Sequence, residues 1–232
     1  MRNISALAID IDGTITYDDR RLDLEAIKSL RDLEGIGIPV ILSSGNILCF
    51  MNAASIMIGT SGPLIAENGG IVEVDDVVHY MGNFENVERF YNLLSSKYDL
   101  RKVKRSELRK TEIAMFRDID IEVLREELDD EYGVDLVDSN FAIHIIDRNV
   151  NKGNALKFTA ELIGIPLEEI AAVGDSENDY EMIKCAGIGI CIGDGMLSEV
   201  SDYVTKNRFG KGAVEAIDYL KSEGYIEFPG RT

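Results

Sequence analysis

The sequence predicts an α/β fold in which a doubly wound, mainly parallel sheet is interrupted by a small α+β insert. Three observations support this expectation. Short apolar runs alternate with helical patterns near both ends of the chain. From about residue 83 this alternation gives way to a helix, a strand, a second helix and a strand pair. Polar clusters follow several of the buried strands. We therefore expect a Rossmann-like core of residues 1–82 and 152–232 and an inserted domain of residues 83–151.

The first part of the predicted core begins with a buried strand at residues 4–10, which runs into two acids and a turn at Gly13. Asp23 is expected to cap the helix that follows. The apolar positions of that helix are Leu24, Ile27, Leu30 and Leu33, and Gly35 and Gly37 follow it. The remaining elements are a strand at 38–42, a mostly buried helix at 47–58, a strand at 64–66 and a hairpin at 71–80.

The insert and the second part of the core are predicted in the same way. The insert should contain helices at residues 87–98 and 121–132, a strand at 113–116, and a strand pair at 134–137 and 141–146. The core should resume with a helix at 154–162, a strand at 170–173, a helix at 180–186, strands at 188–192 and 203–204, and a helix at 213–221. Gly164 and Pro166 are expected to end the first of these helices.

Composition and charge narrow the range of partners. Of the 232 residues, 45% are hydrophobic and 28% charged, which is typical of a globular protein. A net charge of −18 disfavours nucleic acid and anionic membrane surfaces as partners. No apolar stretch approaches the ~20 residues of a membrane helix. The lack of an apolar h-region before Asp10 predicts that the start is not a signal peptide. Three cysteines without paired spacing indicate a reducing compartment, so we expect a cytoplasmic protein. We expect it to act as a monomer or homodimer.

Two acidic clusters follow predicted strands. Asp10 and Asp12 precede a Gly-Thr turn, and the run G-D-S-E-N-D places Asp175 and Asp179 after a later strand. The carboxyl ends of parallel strands meet at the edge of the sheet where ligands bind. Carboxylates and nearby carbonyls suit a hard cation such as Mg²⁺. Either run could instead be an ordinary polar strand exit or an acid-rich helix start.

Two further motifs could bind an anion. The run S-S-G-N, which includes Ser44 and Gly45, lies between a strand and a helix. A hydroxyl and backbone N–H groups there could hold a phosphate or simply cap the helix. Lys152, directly after the insert, could neutralise a phosphate and a neighbouring carboxylate, or it could lie on the surface. Such a site would locally offset the acidic surface, which otherwise repels an anionic substrate.

The order of these motifs, D-x-D-G-T, a strand-end S-S-G, a lysine and G-D-x-x-N-D, resembles the haloacid dehalogenase superfamily of phosphatases. The resemblance covers both core segments. The run I-A-E-N-G-G and the stretch A-G-I-G-I-C-I-G-D-G-M-L-S-E-V-S-D-Y-V-T are similar to the Cof-type branch, and the position of the insert matches a C2 cap. The compact size and the S-G-N motif are most similar to archaeal-type 2-phosphoglycolate phosphatases. Asn46 and Asp194 depart from the usual Cof-type residues, which could shift substrate choice.

This resemblance implies a Mg²⁺-dependent phosphomonoester hydrolase. Asp10 would be the nucleophile that forms an aspartyl-phosphate, and Asp12 the general acid and then the base. The residues implied in phosphate binding are Ser44, Gly45 and Lys152. The residues implied in metal binding are Asp10, Asp12, Asp175 and Asp179. The substrate would be a small phosphorylated metabolite, with 2-phosphoglycolate, converted to glycolate, as the first expectation.

The remaining expectations concern the cap, which is the inserted domain of residues 83–151. Residues 101–110 hold six positive residues and one Glu, which favours a solvated face or an arginine that closes over a substrate carboxylate. The sequence does not single out one arginine. His79 and His144 are expected to be structural, and the cysteines are assigned no chemistry. The cap is expected to rock on linkers near Gly82 and Asn149.

Several other functions are compatible with these motifs. A phosphatase acting on a sugar phosphate, mannosylphosphoglycerate or sucrose phosphate, or a phosphomutase, would use the same core. A receiver-type signalling module also has acids, Mg²⁺ and a lysine at strand ends. Receivers, however, are shorter and are phosphorylated after the third strand, where this chain has Glu67 and Asn68. A core that binds a phosphorylated ligand without turnover is a third alternative.

Overall fold

Two sheets and seven α-helices make up the computed structural model, which describes residues 3–139 and 142–227. The strands are β1 (Ala6–Asp10), β2 (Val40–Ser43), β3 (Leu64–Ala66), β4 (Ile71–Val74), β5 (Val77–Tyr80), β6 (Ile113–Met115), β7 (Val134–Asp138), β8 (Ile143–Asp147), β9 (Ile170–Gly174), β10 (Ile188–Cys191) and β11 (Tyr203–Val204). The helices are α1 (Leu24–Gly35), α2 (Leu48–Ile58), α3 (Phe84–Lys97), α4 (Ile121–Arg125), α5 (Lys152–Ile163), α6 (Tyr180–Cys185) and α7 (Phe209–Ser222).

The larger sheet has the strand order β11-β10-β9-β1-β2-β3-β4-β5. Its strands are parallel from β11 to β3, and β4 and β5 add an antiparallel hairpin at one edge. One apolar layer joins the sheet to α1, α2 and α7, and another joins it to α5 and α6. The central strand β1 is buried along its whole length. The doubly wound class predicted from the sequence is therefore confirmed. No helix among the described residues has the length and hydrophobicity to cross a bilayer.

The inserted segment has a sheet and an apolar cluster of its own. Strands β6, β8 and β7 pair antiparallel in that order, and α3 packs on them through Val87, Phe90 and Leu94. The two chain connections to the larger sheet meet at Asp147, whose carboxylate accepts hydrogen bonds from the backbone N–H groups of Asn83 and Asn149, each at 2.9 Å. The domain boundaries at residues 83 and 151, and the rocking of the cap, stay predictions.

Gly82 allows the two connections to pass closely. Its φ is +79°, and a Cβ at this position would lie 2.6 Å from Val150 Cγ2 and 2.7 Å from Asp147 Cβ. A side chain would therefore require the second connection to move.

Most elements lie where the sequence predicts them. Asp23 caps α1, because its carboxylate accepts hydrogen bonds from the N–H groups of Glu25 at 2.9 Å and Ala26 at 3.2 Å. The hairpin turns at Asp75 and Asp76, both with positive φ, as a tight two-residue turn requires. One residue of the predicted strand pair, Phe141, lies outside the described residues.

Two predicted helices need correction. The helix expected at residues 121–132 ends at Arg125, and a separate 3₁₀ turn follows at Asp130–Tyr132. The side chain of Asp129 accepts a hydrogen bond from the N–H of Glu131 and so starts this new turn instead of continuing the helix. Helix α2 is not mostly buried. It packs on the sheet through one face only, and Ile56 is 81% exposed.

Candidate active site

The predicted site residues lie at the carboxyl edge of the large sheet. Asp10 ends β1 beside Ser43, the last residue of β2, and Asp175 follows β9 directly. Lys152 is the first residue of α5 and Asp179 follows the turn after β9. The structure therefore brings together residues that lie far apart in the sequence. Ser44, Gly45 and Asp12 stand at the same edge, in the loops after β2 and β1.

Three charged side chains form the buried centre of this edge. Lys152 Nζ lies 2.6 Å from Asp10 Oδ1 and 2.7 Å from Asp179 Oδ1, and all three residues are almost inaccessible to solvent. Burial raises the pKa of the Asp10 carboxyl well above its usual range, and the Lys152 ammonium opposes this shift. Burial alone would lower the pKa of Lys152, but the two carboxylates outweigh it and raise that pKa. The lysine therefore stays charged between two acids.

Asp175 completes an acidic group with Asp10 and Asp179. One carboxylate oxygen from each of the three lies within 4.8 Å of the others. Burial, followed by the charge of Asp179, raises the pKa of Asp175 to about 7. Thr14 Oγ1 donates to Asp175 Oδ1 at 3.0 Å. At Gly13, with φ +90°, a Cβ would lie 2.4 Å from Asp175 Oδ2, so only glycine lets the two loops approach this closely.

The free oxygen of Asp10 fits a bound cation. Asp10 Oδ2 is buried and has no hydrogen-bond partner among the described residues. A buried oxygen of this kind is costly unless a ligand satisfies it. Mg²⁺ prefers oxygen ligands of the carboxylate and carbonyl type. The donor set at this edge therefore matches a magnesium ion.

Asp12 lies beside this centre and is more accessible. Its carboxylate accepts hydrogen bonds from Asn46 Nδ2 at 2.6 Å, Arg20 Nε at 2.8 Å and Ser44 Oγ at 3.3 Å. The Ser44 hydroxyl also accepts a hydrogen bond from the backbone N–H of Asn46. Helix α2 starts after Ile47 without a side-chain cap, so the S-S-G-N run does not cap this helix. These side chains hold Asp12 in one orientation.

The contacts of Asn46 and Arg20 with Asp12 are not predicted by the sequence. Asn46 stands out there only as a departure from the usual Cof-type residue, and its position in the S-G-N motif is the available signal. Arg20 lies in a loop without a motif. Its contact with Asp12 depends on how the loop after β1 folds, which no local pattern indicates.

A buried clasp joins the edge of the core to the insert. It consists of Glu67, Asn68, Thr111 and Glu112. The Glu67 carboxylate accepts hydrogen bonds from the Thr111 N–H at 2.9 Å, the Thr111 hydroxyl at 2.7 Å and the Lys110 N–H at 3.0 Å. Asn68 Nδ2 donates to Glu112 Oε2 at 2.8 Å. The run E-N-G-G resembles a family run, but the sequence indicates no contact for it, because its partners lie more than forty residues away.

Asn68 also connects the clasp to the acidic loop. Asn178 Nδ2 donates to Asn68 Oδ1 at 3.0 Å. On the other side of the clasp, His144 Nδ1 lies 2.9 Å from Glu112 Oε1, and its Nε2 lies 3.1 Å from Ser139 Oγ. These contacts agree with the structural role expected for this buried histidine.

A cavity of about 940 Å³ opens between the core and the insert. Asp10, Asp12 and Gly45 line it on the core side. The insert contributes Arg105 and Phe116 among other residues. The predicted catalytic and phosphate-binding loops therefore open into a space that the insert partly encloses.

Comparison with known proteins identifies the family. Residues 7–101 and 83–217 match the haloacid dehalogenase-like hydrolases. A Methanothermobacter thermautotrophicus protein named phosphoglycolate phosphatase is 47% identical over 214 residues, which cover 91% of this chain and 96% of that protein. A Methanosarcina mazei protein of the same name is 46% identical over 226 residues, covering 95% and 98%. The chain therefore belongs to the haloacid dehalogenase-like hydrolase family, and the resemblance noted in the sequence is confirmed.

Solved structures show the same fold. A crystal structure of a Thermoplasma acidophilum protein has a TM-score of 0.87 at 27% identity and covers 95% of this chain and 99% of its own. A haloacid dehalogenase-like hydrolase from Bacteroides thetaiotaomicron has a TM-score of 0.78 at 20% identity, with 94% of this chain and 100% of its own covered, and supports the fold alone.

Hydrolases of this family generally use Mg²⁺.

Proposed function

We propose that this protein is a Mg²⁺-dependent phosphatase that hydrolyses 2-phosphoglycolate to glycolate and phosphate. The observation that carries the reaction type is Asp10 Oδ2, a buried carboxylate oxygen without a hydrogen-bond partner among the described residues, on a residue that lines the cavity. Such an oxygen is available to a phosphorus atom or to a cation. The relatives named phosphoglycolate phosphatase support the choice of substrate.

The proposed reaction has two steps at Asp10. A carboxylate oxygen of Asp10 forms a bond to phosphorus while the bond from phosphorus to the substrate alkoxide breaks. Asp12 gives a proton to that alkoxide and then takes one from the water that attacks the aspartyl-phosphate. This attack releases phosphate and restores the Asp10 carboxylate.

Positioning and charge stabilisation account for the other residues. Lys152, Ser44 and Gly45 would bind the phosphoryl oxygens. When bound, Mg²⁺ would offset negative charge on the transferring group. The residues that would hold it are Asp10, Asp12 through its carbonyl, Asp175 and Asp179.

The setting of the enzyme is also part of the proposal. We propose a cytoplasmic enzyme that acts as a monomer or homodimer on a free small metabolite. The thiols of Cys49, Cys185 and Cys191 are unpaired, in keeping with a reducing compartment.

Phosphate release from a panel of substrates tests the proposal. The panel contains 2-phosphoglycolate, sugar phosphates and p-nitrophenyl phosphate, each with Mg²⁺ or with EDTA. We expect turnover to require Mg²⁺, to be fastest on 2-phosphoglycolate, and to fall by roughly 10⁴-fold or more in Asp10→Asn. The exposed Asp32→Asn is the matched control and should keep full activity.

The other outcomes separate the alternatives. Fastest turnover on a sugar phosphate would keep the reaction and reject 2-phosphoglycolate. Absence of turnover by a folded protein that binds Mg²⁺ would reject the phosphatase and favour a phosphomutase or a binding protein.

A further inference from the structure

The cavity has the opposite charge balance to the chain. The net charge of the protein is −18. The acids that line the cavity are Asp10 and Asp12, and the cations that line it are Arg20, Lys104, Arg105 and Arg109. Positive charge is therefore in excess in the cavity that these core loops share with the insert. An excess of this sign draws in a substrate with more than one negative group.

Two of these four cations already have partners. Arg20 Nε lies 2.8 Å from Asp12 Oδ1. Arg109 Nη1 donates to the Gly45 carbonyl at 2.9 Å and is also paired with Glu112. Each of them therefore holds a part of the site in place.

Lys104 and Arg105 differ from the other two. The structure gives neither side chain a hydrogen bond or an ion pair with any described residue, and both are exposed. The remaining cations of the basic stretch do not line the cavity. Arg101 is paired with Asp118, and the Lys102 ammonium lies over the ring of Tyr91.

Arg105 matches a carboxylate better than Lys104 does. A guanidinium offers two parallel N–H donors to the two carboxylate oxygens, whereas an ammonium is a point charge. Arg105 also has φ +64° and ψ +21°, a left-handed conformation uncommon for a residue with a side chain. Hydrogen bonds to the carbonyl of Ala114 in β6, from Val103 N–H at 3.0 Å and Ser106 Oγ at 3.3 Å, hold this loop in place.

Apolar side chains surround the same space. Val103 and Phe116 of the insert and Phe50 and Met57 of α2 line the cavity with Arg105. A charge pair between apolar walls is less screened by water than one on an open surface. The setting therefore strengthens an interaction between the guanidinium and an anionic group.

We infer that Arg105 is a specificity-determining residue that binds the carboxylate of a phosphorylated hydroxy acid while the phosphoryl group lies at Asp10. This inference rests on the proposed phosphatase function and extends it by assigning the substrate carboxylate to one residue of the insert.

The test compares two substrates that differ in the carboxylate. The kcat/KM values for 2-phosphoglycolate and for ethyl phosphate are measured for the wild type, Arg105→Ala, Arg105→Lys, Lys104→Ala and, as a charge-matched control, Lys102→Ala. We expect Arg105→Ala to lose about 10- to 100-fold on 2-phosphoglycolate, mainly through KM, because a hydrogen-bonded charge partner is removed. On ethyl phosphate it should change by less than about threefold, and Arg105→Lys should recover part of the loss. Lys104→Ala and Lys102→Ala should keep the preference.

Each contrary result has a distinct meaning. Equal losses on both substrates, or an unchanged preference in Arg105→Ala, would overturn the role of Arg105. So would a loss of preference in Lys104→Ala alone, which would place the carboxylate at that residue. A wild type that hydrolyses ethyl phosphate as well as 2-phosphoglycolate would instead reject the proposed substrate. Thermal unfolding of each variant checks that folding is intact.

Discussion

Two groups of charges near the cavity differ in how the fold holds them. On the core side, Lys152 is buried between Asp10 and Asp179 at 2.6 and 2.7 Å. On the side of the insert, Lys104 and Arg105 are exposed and unpaired with the described residues. The buried charges are oriented by the fold before any substrate arrives, which is the arrangement that best stabilises a transition state. The exposed charges can be replaced without damage to the fold. If the proposed roles of Asp10 and Arg105 hold, reaction type and substrate preference can change independently.

The largest effect should come from the buried lysine. Lys152→Met removes the cation between two buried carboxylates, and we expect the free energy of unfolding to fall by about 3–5 kcal/mol. Turnover should be lost as well. Urea denaturation without divalent cations measures the stability change. The control is Lys157→Met on the exposed side of α5, where the expected change is below about 0.5 kcal/mol. Equal changes in both variants would remove the distinction between the two groups of charges.

A smaller effect should come from the clasp that joins the two sides. Glu67→Ala leaves the N–H groups of Lys110 and Thr111 and the Thr111 hydroxyl without their acceptor. A buried donor without a partner costs about 1–3 kcal/mol. We expect the free energy of unfolding of Glu67→Ala to fall by an amount in that range. Hydrogen exchange at the backbone amides of Lys110 and Thr111 should become faster. The exposed Glu107→Ala should change neither quantity. Unchanged exchange in Glu67→Ala would show that the clasp does not hold the insert to the core.

The smallest effect is expected at Glu215, a carboxylate outside the cavity. There the effect of hydrogen bonds on the carboxyl pKa can be distinguished from the effect of burial. Burial alone would raise the pKa of Glu215, but hydrogen bonds from the N–H groups of Lys206 and Asn207, the Asn207 amide and the Tyr203 hydroxyl lower it to about 2. Because the folded pKa is depressed, this stabilisation is fully present above the unfolded pKa of about 4.3 and is lost as the pH falls towards 2.

Glu215→Gln tests this linkage. We expect it to lower the unfolding free energy at pH 7 by no more than about 1 kcal/mol, since solvent screens this partly exposed group. The difference from the wild type should shrink as the pH falls from about 4.5 towards 2. A difference that stays constant over that range would contradict the pKa assigned to Glu215. Urea denaturation at several pH values measures the difference in unfolding free energy between the variant and the wild type.

Local motifs made part of the site predictable. Four site residues lie at or next to the ends of elements with strong apolar patterns: Asp10, Asp12, Asp175 and Lys152. Because the carboxyl ends of parallel strands lie at one edge of the sheet, their proximity could be predicted. Their catalytic and metal-binding roles stay proposals. The contacts of Arg20 with Asp12 and of Glu67 with Thr111 could not be predicted in this way, because they join loops that have no periodic pattern.

The class of fold, the order of the motifs after the core strands and the acidic character of the chain follow from the sequence alone. Those features depend on local hydrophobic periodicity and composition, which every short window of the sequence carries. Two features depended on the folded chain: which basic residues of the stretch 101–110 line the cavity, and that α2 keeps one apolar face exposed. The direction of a side chain in a loop, and the partner of a helix face, depend on packing between segments that lie far apart in the chain.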